Sequence, residues 1–301
     1  MKPINYLVNL ARKLIRPATG KVAATAALDL IAAKRYQPVK ICIYCRASGV
    51  PLTDEHVIPY ALNGNWVLPE ASCKDCAAIT GGIEQVILRG ELRHLRTALG
   101  FQTRRRRERP ATVQIRANNR IVEVPIKDCP IIMPFVRFPA PGLLENRPSK
   151  NGIDAIGEAV VKWGPDPQEF AKKHGFHQLS FEKTIAPAIF ARMIVKIGYA
   201  HAVARFGLEA FRDDLVTDVI LGRSERVGDV VGCIQQEFPV LRNPYDHILQ
   251  PVVYKGGLSR DDRLLAIRVK LFAGCPTPVY EVVVARVADL MEQLRPDYHC
   301  D

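Results

Sequence analysis

The sequence predicts an α+β chain of 301 residues in three parts: an N-terminal helical segment (1–37), a small compact module (38–102) and a larger C-terminal α+β domain (103–301). Three observations predict it. Two CxxC pairs, Cys42 with Cys45 and Cys73 with Cys76, bracket one short stretch. A proline-free run with helical periodicity, IEQVILRGELRHLRTAL, follows them and stops at Gly100. Beyond it, alternating segments such as ATVQIRA and RIVEVPI read as strands.

Along residues 4–36, apolar and basic positions recur at roughly helical spacing until Pro38 ends the pattern. Lys2, Arg12, Lys13, Arg16 and Lys21 all precede the first acid, Asp29, an order shared with organelle-targeting segments. The apolar run 22–33 nevertheless contains Asp29 and leads into Lys34 and Arg35, so a local pair of amphipathic helices broken near Pro17–Gly20 is the preferred expectation.

In the module, two residues between thiols is the gap at which a tight turn brings both sulfurs to one tetrahedral ion. Cys42, Cys45, Cys73 and Cys76 are therefore the expected ligands of a structural Zn2+, with no coordination position left for chemistry. The alternative is a set of buried thiols or a redox dithiol, which leaves the bracketing unexplained. Cys129, Cys233 and Cys275 are expected as buried free thiols, and Cys300 as exposed.

The helix expected over 83–99 gathers Ile83, Ile87, Leu88, Leu92, Leu95, Ala98 and Leu99 on one arc, with Glu84 and Glu91 in its middle. Carboxylates in such a position need a partner, either a metal ion or an arginine. The opposite face carries Gln85, Arg89, Arg93 and Arg96 and runs on into Arg104, Arg105, Arg106 and Arg107. That face is expected along a phosphate backbone, the plain alternative being a solvated surface. His94, nearer the apolar arc, is expected to be structural.

The C-terminal part holds a proline-rich loop (134–150) and a helix expected over 184–206 with Pro187 in its first turn. Strands are expected at 248–254, 265–272 and 279–286. Arg192, Lys196 and His201 read as the polar edge of a core helix.

Composition fits a globular chain: 48% apolar and 24% charged residues, with Lys and Arg exceeding Asp and Glu by 42 to 31 for a net charge of +11. The excess suits a polyanionic partner, phosphodiester backbones before anionic membranes. No apolar run is long enough for a membrane span, and a cytoplasmic location is expected.

CIYC, then TDEHVIPYALNGN, then ASCKDC and the helix with IEQVILRGEL, resembles the HNH endonuclease family in its zinc-bound, treble-clef-like ββα-metal form, over roughly 65 residues. The resemblance implies hydrolysis of phosphodiester bonds in nucleic acid, DNA being the expected substrate. It gives His56 the role of general base and Glu55 that of ligand to a catalytic Mg2+ or Mn2+. The chemistry is consistent: a base with pKa near neutrality activates water, and a cation offsets charge building on the phosphoryl oxygens. Strand alternation alone would pair Asp54 with His56 on one face; the family pattern favours Glu55. Asn65 lies where the family often places a bracing asparagine. The residue after the second CxxC, commonly Asn or His, is Ala77, which has no donor atom, and Glu84 is the expected replacement ligand. Two rivals follow: a zinc-containing nucleic-acid-binding protein without hydrolysis, and a zinc-stabilised protein-interaction module.

Overall fold

The computed structural model describes residues 21–25, 34–103, 109–177, 179–180, 186–238, 246–255 and 263–287. The chain is α+β. Its strands are β1 (Lys21–Thr25), β2 (Lys34–Arg35), β3 (Leu52–His56), β4 (Trp66–Cys73), β5 (Thr112–Ala117), β6 (Arg120–Pro125), β7 (Ile131–Arg137) and β8 (Gly157–Trp163). They continue with β9 (Leu179–Ser180), β10 (Phe211–Asp214), β11 (Val231–Ile234), β12 (Ile248–Lys255), β13 (Arg263–Lys270) and β14 (Val279–Val287). The helices are α1 (Lys74–Arg89), α2 (Arg93–Ala98), α3 (Pro167–Lys173), α4 (Pro187–Phe206), α5 (Thr217–Leu221) and α6 (Val227–Val230).

A six-stranded antiparallel sheet runs β1-β12-β13-β14-β10, with β11 also on β14. Its central strands are buried along almost their whole length because both faces are covered. α4 lies against one face, Gly198 bringing it so close to β14 that a Cβ there would stand 2.9 Å from Val282. The other face buries Val252, Tyr254, Leu264, Ala266 and Val283. Within the sheet, Arg268 and Tyr254 both bond the Glu281 carboxylate, at 3.0 and 2.7 Å, so the buried charge is paired.

Four expectations change. The N-terminal helix pair does not hold where residues are described: 21–25 and 34–35 are strand, and 4–20 and 26–33 lie outside the described residues. KVAAT completes the open edge of β12, with Lys21 opposite Lys255 and Thr25 opposite Val252, so sheet pairing overrides a weak helical period. The helix expected over 83–99 is two: α1 begins already at Lys74, and Gly90 ends it. A Cβ at Gly90 would stand 2.6 Å from the Val86 carbonyl, and Leu92 reaches back to the Ile87 carbonyl before α2 starts. Ala98, placed on the apolar arc, is exposed and contributes nothing to the core. Cys129 and Cys233 are buried, Cys275 is half-buried and Cys300 lies outside the described residues.

One buried cluster extends without a break from Cys42, Ile43 and Trp66 through Phe190 and Tyr199 to Val282 and Val287. His247 pins its two ends: its Nε2 lies 2.8 Å from the Leu62 carbonyl, and the Phe272 N–H donates to its Nδ1. The bond from Phe272 requires a bare Nδ1 and hence the neutral ring, and burial depresses the ring pKa to about 4, against the hydrogen bond to Leu62. The unfolded ring takes a proton near pH 6.5, so this contribution is complete above that pH and is lost as pH falls toward 4. Chemical denaturation across that window is expected to show a loss on the order of 3 kcal/mol, absent from a His247→Gln variant.

Candidate metal centre and the buried acid pair

The segment 41–47 forms a tight turn, with the Cys42 N–H bonded to the Ala47 carbonyl and the Arg46 N–H to the Cys42 carbonyl, at 2.9 Å each. Arg46 takes a left-handed conformation, φ 64°, to close it. The turn presents Cys42 and Cys45. The antiparallel hairpin β3–β4 follows and delivers Cys73 as the N-cap of α1, with Cys76 in the first helical turn. All four Sγ atoms lie within 4.8 Å of one another, Cys45 and Cys73 at 3.6 Å. Tetrahedral ligation at about 2.3 Å puts sulfurs roughly 3.8 Å apart, far from the ~2.05 Å of a disulfide. The cluster can therefore hold a metal ion such as zinc.

Its electrostatics point the same way. Burial works to raise the Cys42 thiol, yet the backbone N–H groups of Cys45, Cys73 and Tyr44 outweigh it and hold the pKa near 7. Cys76 is pushed up by burial and then by the sulfurs of Cys73 and Cys45. A cation is what lets all four exist as thiolates together.

Next to this centre β3 carries the acids. Extra residues in β4 around Pro69 and Glu70, the latter at φ 49°, shift the register between Thr53 and Glu55. Asp54 is thereby left at the surface, paired with Arg35 at 2.9 Å, while Glu55 turns inward and is 7% exposed. His56 is half-buried, with its ring edge-on to Tyr60 at 5.7 Å. Glu84, about three turns along α1, arrives beside Glu55. Both carboxylates close on the ammonium of Lys196 from α4: Nζ is 2.6 Å from Glu55 Oε1 and 2.9 Å from Glu84 Oε1, and it also donates to the His56 carbonyl. Burial raises the Glu55 pKa despite the opposing Lys196 charge. Burial would depress Lys196, but the two carboxylates outweigh it and keep the ammonium charged.

A divalent catalytic ion, expected from the HNH resemblance, does not fit this arrangement. Ala77 offers no donor, and both expected carboxylate ligands, Glu55 and Glu84, are engaged by Lys196. Among the described residues, the four cysteines are the one cluster of three or more His, Cys, Asp or Glu side chains placed for a metal. Glu91 serves differently again, accepting the Ala186 N–H at 2.7 Å just ahead of α4.

The basic face divides. Arg89 and Arg93 are exposed at the end of α1 and the start of α2. Arg96 leaves the set, because its Nε donates to the Ala61 carbonyl at 2.6 Å and its Nη1 to the Leu88 carbonyl at 2.7 Å, capping α1 from behind. Arg104, Arg105, Arg106 and Arg107 lie outside the described residues. Asn65 is exposed. The bracing falls to Asn63, left-handed at φ 62°, whose Oδ1 accepts the Gln102 N–H. A separate cavity of about 180 Å3, lined by Arg147, Lys150 and Asp229 among others, includes none of these residues.

Lys196 is the residue that sequence reasoning passes over as a polar edge. Its signal is faint, because in ARMIVKIGYAHAVA Lys196 lies one turn after Arg192 and the two read as one polar stripe. α4 grips the module at two further points: the Tyr199 hydroxyl donates to the Ile43 carbonyl at 2.5 Å, and His201 stacks on Trp66 at 5.4 Å.

In comparisons with protein-family models, curated proteins and solved structures, nothing matches this chain.

Proposed function

We propose that this chain is a zinc-containing nucleic-acid-binding protein, built on an HNH-like frame and working without metal-dependent hydrolysis. The observation that carries the reading is the Lys196 clasp inside the four-cysteine frame: the acid pair that would hold a catalytic cation is already neutralised. The turn, hairpin and helix around Cys42, Cys45, Cys73 and Cys76 support zinc as the ion, and the net charge of +11 with exposed Arg89 and Arg93 supports a polyanionic partner.

Metal-dependent HNH endonuclease activity is the second reading, favoured by one observation: Glu84 does converge on Glu55, directly beside His56. It requires the ammonium to leave.

Titration of labelled duplex DNA at several salt concentrations tests both. Affinity is expected to fall linearly on a log–log salt plot, and Arg89→Ala or Arg93→Ala to flatten the slope by about 0.9 for each phosphate no longer neutralised. Supercoiled plasmid with Mg2+ or Mn2+ is expected to stay intact. Nicking abolished by His56→Ala establishes the endonuclease instead, and absence of both binding and nicking turns the module into a protein-interaction element.

A further inference from the structure

Lys196 is 1% exposed, at the middle of a helix buried on nearly every side. An ammonium has three protons, and each has an oxygen: Glu55 Oε1, Glu84 Oε1 and the His56 carbonyl. Three oxygens, two of them anionic, converging on one enclosed point are also what a hard divalent cation seeks. The position is thus chemically a cation site, and its occupant is covalently part of the chain.

We propose that Glu55, Glu84 and the His56 carbonyl form a hard-cation site whose resident cation is the Lys196 ammonium. The native protein therefore excludes Mg2+-class ions there, and removing the ammonium opens the site to one such ion.

Displacement by a free ion is opposed on two counts. Expelling the ammonium breaks an ion pair whose lysine is 1% exposed, so the charge must be drawn out of a buried position. A Mg2+-class ion also needs about six oxygens at roughly 2.1 Å, so it must bring waters for which the lysine stem leaves no room. Truncation to alanine removes both obstacles, since it frees the charge pair and vacates the space of the stem. The claim is independent of nucleic-acid binding and is tested without nucleic acid.

The experiment titrates zinc-loaded full-length protein with Mn2+, reading free ion by electron paramagnetic resonance. Wild type is expected to take up no stoichiometric Mn2+. Lys196→Ala is expected to take up one equivalent, with a melting temperature that rises with Mn2+ concentration. Adding Glu55→Gln should abolish the uptake, and Lys196→Arg, which keeps a cation in place, should show none. Uptake of one equivalent by wild type that Glu55→Gln removes overturns the proposal, as does a folded Lys196→Ala that binds nothing. Should Lys196→Ala fail to fold, the wild-type Lys196 ammonium resonance in a nitrogen-correlated spectrum decides. Its persistence in the presence of equimolar Mn2+ supports the proposal, and its broadening beyond detection there overturns it.

Discussion

Replacing Cys76 by serine is expected to abolish cooperative unfolding of the described fold, rather than merely to loosen the four-cysteine module. Cys76 stands 4% exposed in the first turn of α1, and its sulfur closes the four-thiol cluster. Structural zinc supplies roughly 10–16 kcal/mol to small domains, comparable to the whole ~5–15 kcal/mol stability of a typical one. The buried cluster that begins at Cys42 is continuous with the central sheet, so no boundary confines the loss. Elemental analysis paired with thermal melting by circular dichroism checks this. The wild type should retain about one zinc per chain after dialysis, and the variant should retain none and melt without a sharp transition. A variant that melts like the wild type defeats the zinc assignment.

Lys196→Met is expected to cost about 3–5 kcal/mol in denaturant unfolding. Methionine fills a similar volume, so the loss isolates the charge: Glu55 and Glu84 are left facing each other with no cation between them. Glu84→Gln in the same chain should recover a large part of the loss by removing the repulsion. The pH dependence has a definite sign. Glu55 already titrates above its ordinary value because it is buried, and losing the ammonium raises it further. A group whose folded pKa is raised favours the folded state below its unfolded pKa and loses that advantage as pH rises. The gap between variant and wild type should therefore narrow on acidification toward about pH 4 and widen toward neutrality. A gap that is constant with pH, or unaffected by Glu84→Gln, rules out charge as the cause.

The sequence exposes those features whose cause is local. α4 holds Pro187 in its first turn as expected, though it starts there and not at 184, and β12, β13 and β14 lie where strand-forming apolar segments are expected. Thiol spacing and the inward position of Glu84 are also readable from the chain alone. What escapes depends on distant partners. Gly81 and Gly82 argue against helix, yet packing of Cys76, Thr80 and Ile83 carries α1 through them. Arg96 looks like one more surface cation until the Ala61 and Leu88 carbonyls are seen beside it. β1 is a strand only because β12 offers it an edge, and nothing in KVAAT announces that edge.

The grip of α4 on the hairpin also orders events during synthesis. Lys196 is 140 residues downstream of the His56 carbonyl that it holds. At ~5–20 residues per second, a ribosome takes roughly seven to thirty seconds to bridge that interval. Through that interval Glu55 and Glu84 are already made but have no ammonium to close on, so the clasp that joins hairpin, α1 and α4 is among the last contacts the chain can complete.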